Sequence, residues 1–180
     1  TIIDSLIKIL AIIPKCVPRN QIIFEMHRRE TSSKEIFNVL DCVRRLAFKY
    51  NCEVIWPAHP KEEIQEVTNI VGNFSENLTI TKPKKYMHYI QLLQDARLLV
   101  TDSGGSCEEA CFLNVPSIQV RNETDRPELI ESGYSFLGTK NILKLEDIIQ
   151  SALEHDIRTQ LRERSKYPYG DGHAGEKIVD

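Results

Sequence analysis

The chain has 180 residues, 41 % of them hydrophobic and 27 % charged, with a formal net charge of −3. That length suffices for one domain with a buried core, and the composition is ordinary for a soluble globular protein. The mildly acidic balance excludes a long-range pull toward nucleic acid or anionic membranes, so any anion site must be local; no apolar run approaches the roughly 20 residues that span a bilayer.

In chain order, Thr1 to Ile13 reads as an opening helix. Its apolar run is interrupted by Asp4, Ser5 and Lys8 and lacks a basic leader and a small-residue cleavage site, which argues against a signal peptide. Gln21 to Glu25 is a short apolar run, hence a buried strand. Ser33 to Tyr50 follows as a helix, with Ile36, Leu40, Val43 and Ala47 at three- and four-residue spacing and Ser32 or Ser33 as its cap. Glu53 to Trp56 is the next strand, Lys61 to Val71 a helix, Leu78 to Ile80 a strand and Tyr86 to Leu93 a helix. Arg97 to Thr101 is a strand, Ser106 to Leu113 a helix and Ser117 to Val120 a strand. After Gly138 the pattern changes to two helices, Asn141 to Glu154 and Ile157 to Tyr167, the second stopped by Pro168. Alternating strands and helices with short connections predict one doubly wound α/β domain with a parallel sheet. The apolar strands agree, since such a sheet is covered on both faces. The five cysteines, Cys16, Cys42, Cys52, Cys107 and Cys111, form no Cys-x-x-Cys pair and have no histidine cluster beside them. They read as free buried thiols of a reducing compartment rather than disulfides or metal ligands.

In such sheets ligands bind beyond the carboxyl ends of the strands. The polar segments follow the strands in just that way: His27-Arg28-Arg29-Glu30, Ala58-His59-Pro60, Lys82-Pro83, Asp102-Ser103-Gly104-Gly105 and Arg121 to Pro127. The most informative is Thr101 to Ala110. Gly104 and Gly105 let the backbone approach a ligand, and the helix that follows offers unpaired amides with a partial positive charge, suited to a phosphate. Ser103 adds a hydroxyl donor. Glu109, about a turn into the helix, can accept from both vicinal hydroxyls of a ribose. The same residues also fit a plain tight turn whose Glu108 and Glu109 complement the helix dipole. His27, Arg28 and Arg29 fit either a phosphate clamp or a solvated basic loop paired with Glu25 and Glu30. His59 fits either a site or a structural role. Arg126 precedes Pro127, which suits a first helical position; a cation there opposes the helix dipole and points to an anionic partner.

The order HRRE, PAHP, KPKKYMHYIQLL, TDSGGSCEEA, VPSIQVRNETDRPE and YPYGDGHA resembles the non-hydrolysing UDP-N-acetylglucosamine 2-epimerases, from about Ile2 to the C-terminus. Thr101 to Glu128 and the tail Pro168 to Ala174 are its most specific parts. The resemblance implies a Rossmann-like domain that is one half of a GT-B-type two-domain fold, with a UDP-sugar in the cleft between the halves. It implies that residues 1–180 are the C-terminal, UDP-binding domain, with 1–13 an interdomain helix and 141–180 C-terminal helices. The N-terminal domain, which carries the family's acid/base carboxylates, would be absent from this chain.

By the same resemblance, His27, Arg28 and Arg126 face the diphosphate as catalytic groups, and Ser103, Gly104 and Gly105 cradle it. Glu109 holds the ribose, His59 lines the cleft, and Tyr89 stands where the family usually has Phe near the uridine. Other departures are Thr31 for Asn or Ser, Ser106-Cys107 for Ile-Gln, Asn114 for Gly and Asp125 for Glu. The family reaction interconverts UDP-GlcNAc and UDP-ManNAc; it implies no cofactor, neither metal nor nicotinamide, a homodimer when full length, and a cytoplasmic setting. Two other readings fit the residues: another GT-B UDP-sugar enzyme, hydrolysing epimerase or glycosyltransferase, and a stand-alone UDP-binding module.

Overall fold

The computed structural model describes residues 2–14, 17, 19–72, 76–155, 157–162 and 167–179. The expectations that fall on Thr1, Cys16 and residues 163–166 lie outside these. Six parallel strands form one sheet: β1 (Gln21–Glu25), β2 (Glu53–Pro57), β3 (Leu78–Thr81), β4 (Leu98–Thr101), β5 (Ser117–Val120) and β6 (Ser135–Gly138). Their spatial order is β3-β2-β1-β4-β5-β6. The helices are α1 (Ile2–Leu10), α2 (Ser33–Lys49), α3 (Glu62–Val71), α4 (Tyr86–Asp95), α5 (Gly104–Phe112), α6 (Pro127–Glu131), α7 (Ile142–Glu154), α8 (Ile157–Arg162) and α9 (Ala174–Val179).

Because successive strand residues face opposite sides, β1 feeds two cores. Ile22 and Phe24 join Val54, Trp56, Leu98, Val100, Ile118 and Val120 beneath α2, α3 and α7. Ile23 instead joins Ile55 and Leu99 beneath α4 and α5, against Leu93 and Ala110. Phe24 and Trp56 meet edge to face at 5.3 Å. Helix α1 lies over this second layer, where Ile3, Leu6 and Ile13 pack with Ile90. Ser32, rather than Ser33, caps α2 in a full capping box with Glu35.

Three local expectations change. The strand Ser135–Gly138 is not visible in the hydrophobic pattern, which stops at Val120; it is four residues long, begins with a serine and pairs with β5 alone. Helix α5 begins at Gly104, two residues before Ser106, because Ser103 supplies a cap that accepts from the Ser106 amide. The second C-terminal helix is helical over Ile157–Arg162, and Tyr167 is not helical. Asn114, just past α5, adopts φ 55°, the left-handed conformation that asparagine tolerates at a helix end. Cys42, Cys52, Cys107 and Cys111 are free and buried. Among the described residues no helix is long and apolar enough to cross a membrane.

Candidate functional site

The strand order reverses between β1 and β4, so the chain leaves β1 toward one face of the sheet and β4 toward the other. This divergence opens a crevice at the carboxyl ends of the strands. The last residues in register there are Glu25 and Thr101. Just beyond them, Asp102, 1 % exposed, braces the loop after β1. Its carboxylate accepts from the His27 amide at 3.1 Å and the Arg28 amide at 3.0 Å, with a longer bond from the Thr31 hydroxyl at 3.4 Å. From the other side the Lys61 ammonium donates to the carbonyls of Arg28, Arg29 and Thr31 at 2.9, 3.3 and 3.3 Å. A buried anion and a cation thus fix the backbone that presents His27 and Arg28, while Arg29 remains exposed. His27 Nδ1 lies 3.8 Å from Glu25 and 3.6 Å from Asp102, and Arg28 is paired with Glu30 at 3.3 Å. His59, from the loop after β2, lies with its ring 6.5 Å from that of His27.

Across the crevice stands the N-terminus of α5. The Ser103 hydroxyl accepts from the Ser106 amide at 3.4 Å and keeps its own proton to donate. The two glycines serve different neighbours. A Cβ at Gly104 would stand 3.3 Å from Asp125 Oδ1 and 3.7 Å from Arg126 Cγ, whereas one at Gly105 would meet Ile2 of α1 at 3.4 Å. Gly104 therefore lets the loop after β5 close over the helix end, and Gly105 lets α1 pack beneath it.

That loop brings cations. Asp125 is bonded by Arg121 and lies 3.6 Å from Arg126 and 4.0 Å from Arg28. Arg126 caps the start of α6 without a side-chain cap bond. Its Nε pairs with Glu108, and its Nη1 donates to the Asp125 carbonyl at 2.9 Å. The misplaced cation expected at this helix start is thus offset within the chain. Three guanidinium groups still share one nearby carboxylate, and forks of this kind can exchange it for phosphate oxygens.

Glu109 lies one turn behind the helix end and is 6 % exposed. Its Oε1 accepts from the Tyr86 hydroxyl at 2.6 Å. Burial pushes the carboxyl up to about 7, a rise that the Tyr86 hydrogen bond moderates and the charges of Glu25 and Glu108 reinforce. Tyr89 donates to Glu25 Oε2 at 3.2 Å, and the Thr101 hydroxyl bonds the same oxygen at 3.2 Å. In front of Tyr86 and Tyr89 is a cavity of about 250 Å³ whose lining includes Glu25, His27, His59, Pro83, Tyr86 and Tyr89, with Glu109 behind the Tyr86 hydroxyl rather than on the wall.

The structure therefore brings His27, Arg28, Ser103, Gly104, Arg126 and Glu109 to one crevice, with His59 and Tyr89 on the wall of the cavity. Gly105 sits in the same turn, aimed at α1. Sequence reading finds Glu25 only as a partner of the basic loop, and does not find Tyr86, Lys61 or the bracing role of Asp102. Two of these left a signal: Glu25 is the charged last residue of an otherwise apolar strand, and Asp102 is an acid in a strand-to-helix turn.

A family profile described as UDP-N-acetylglucosamine 2-epimerase matches residues 3–180. A UDP-N-acetylglucosamine 2-epimerase of Yersinia pestis is 30 % identical over 162 residues, covering 89 % of this chain and 43 % of its own. The structure of S. aureus MnaA with UDP superposes with a TM-score of 0.85 at 25 % identity, over 99 % of this chain and 50 % of that one. The Methanocaldococcus jannaschii UDP-GlcNAc 2-epimerase in complex with UDP-GlcNAc and UDP gives 0.81 at 27 % identity, over 99 % and 51 %. The chain spans about half the length of the relatives it matches, and it belongs to the UDP-N-acetylglucosamine 2-epimerase family.

Proposed function

We propose that these 180 residues form the UDP-binding half of an enzyme that interconverts UDP-GlcNAc and UDP-ManNAc. The observation that carries this reading is the crevice between β1 and β4. There the N-terminus of α5, Arg28 of the loop after β1 and Arg126 come together around the Asp125 carboxylate, with the Glu109 carboxylate a turn behind. A diphosphate fits the convergence point, because helix-end amides and guanidinium forks both favour a concentrated anion. A ribose fits Glu109, whose oxygens accept from hydroxyls. His59 and Tyr89 line the cavity beside them.

In the reaction the C2 proton leaves and the C1–O bond to UDP breaks, giving a 2-acetamidoglucal. Re-addition of UDP, with a proton delivered to the opposite face of C2, gives the epimer. Charge builds on the departing diphosphate. His27, Arg28, Arg126 and the Ser103 hydroxyl are held in place before it develops, which is where fixed donors act most strongly. The groups that move the C2 proton are assigned to the half of the family's length that this chain does not match. In the whole protein we infer a two-domain GT-B arrangement with α1 as the interdomain helix and α7, α8 and α9 as the C-terminal helices, assembled as a homodimer. The free buried thiols favour the cytoplasm.

Calorimetry with UDP, paired with NMR detection of UDP-ManNAc, tests this. The chain alone is expected to bind UDP without turnover. Failure to bind, or turnover by the pure chain, would overturn it.

A further inference from the structure

Resting on that nucleotide reading, we propose that Tyr86 is a positioning residue of the site: its hydroxyl holds one oxygen of the Glu109 carboxylate and leaves the other for a ribose hydroxyl. Tyr86 is the first residue of α4, and Glu109 lies in the second turn of α5. The two are 23 residues apart and meet at 2.6 Å. Tyr86 is 40 % exposed and lines the cavity, whereas Glu109 is 6 % exposed behind it. A carboxylate so buried needs a donor to stay ionised, and among the described residues Tyr86 is its sole hydrogen-bond donor. The other charged or titratable groups facing Glu109 are Glu25 from β1 and Glu108 from its own helix, together with the Tyr89 phenol from α4. Both acids oppose the negative charge, so the Tyr86 proton is the group that favours it.

Two consequences follow from this geometry. Glu109 offers a ligand one oxygen already oriented and a second already occupied, which suits a single strong contact to a ribose hydroxyl. Ligand affinity also becomes tied to the ionisation of Glu109. Burial places that ionisation near neutrality, at about 7, so a ribose-bearing ligand binds more tightly above pH 7 than below it. Removing the Tyr86 hydroxyl removes the favourable contact and moves the midpoint up.

The test compares the wild-type chain with Tyr86→Phe, which keeps the ring and loses only the hydroxyl. The first measurement is the ¹³C NMR titration of the Glu109 carboxyl without ligand. Its midpoint is expected to rise by about one pH unit, the scale of one hydrogen bond to a charged group. The second is calorimetry with UDP-N-acetylglucosamine, a diphosphate diester with no phosphate titrating near neutrality, at pH 6.5 and 8.5. The variant is expected to bind about tenfold more weakly at pH 6.5 and within about twofold of wild type at pH 8.5. A Tyr86 that merely shaped the wall would weaken binding equally at both values, and that result overturns the inference while leaving the nucleotide reading intact. An unchanged Glu109 titration overturns it as well. Wild-type protein that binds no UDP-sugar at either pH overturns both readings together.

Discussion

Replacing Glu109 by glutamine should stabilise the folded protein and weaken its nucleotide affinity at the same time. The carboxyl titrates at about 7 in the folded chain against an ordinary value of 4.5. The folded state therefore holds this proton more tightly than the unfolded chain does. Its contribution to stability is full below pH 4.5 and is lost as pH rises to about 7, a loss of about 3 kcal/mol once both states are ionised. Glutamine has nearly the same shape, still accepts from the Tyr86 hydroxyl and never ionises. The Gln variant should gain on wild type progressively between pH 4.5 and pH 7 and stand about 2–3 kcal/mol above it at pH 8. Urea unfolding at pH 5 and pH 8 reads this difference directly. UDP binding should fall by about 1–3 kcal/mol, the scale of a lost charge-assisted hydrogen bond, with pyrophosphate binding unchanged because the ribose is the partner. A variant less stable than wild type at pH 8 would show that the buried charge is fully compensated. Equal losses for UDP and pyrophosphate would remove Glu109 from the ribose site.

Asp102→Asn should cost about 3 kcal/mol in denaturant unfolding, because it removes the charge and replaces one of the two oxygens that accept from two amides and a hydroxyl with a donor, in a buried setting; a cost below about 0.5 kcal/mol would mean the loop does not depend on it. Lys61→Met releases three carbonyls and should weaken pyrophosphate binding about tenfold in calorimetry by loosening the loop that carries His27 and Arg28. Arg126→Ala should cost less than about 1 kcal/mol in a thermal melt without ligand, since its partners are partly exposed. In the proposed two-domain enzyme the same change should depress turnover about a hundredfold; full activity would assign Arg126 to the scaffold.

The elements that were legible in the sequence are those with a strong local signal. Helix α2 shows its apolar stripe and its Ser32 cap, and the strands from β1 to β5 show as short apolar runs between polar turns. Strand β6 carries no such signal: Ser135 and Gly138 occupy the buried positions, and the half-covered Phe136 and Leu137 lie between them. A serine and a glycine are buried there because Gln119 and Ser117 meet Ser135 by hydrogen bonds, and because a Cβ at Gly138 would fall 2.8 Å from Ile118. Those reasons belong to the packed sheet and leave no hydrophobic period to read.

The sequence by itself determined the α/β alternation, the polar segments at the carboxyl ends of the strands, and the chemistry they carry: the glycine turn of Gly104 and Gly105, the imidazole of His27 and the guanidinium of Arg28, the acid of Glu109. Only the tertiary structure decided which of these segments are neighbours. The order β3-β2-β1-β4-β5-β6 sets Asp102 against the amides of His27 and Arg28, 75 and 74 residues away in the chain. It also sets Tyr86 on Glu109 and Lys61 beneath the loop after β1. Hydrophobic periodicity reports which face of an element is buried, because burial follows from the local pitch of helix and strand. It carries no record of which strands pair, since parallel pairing joins segments whose only shared property is that each is apolar.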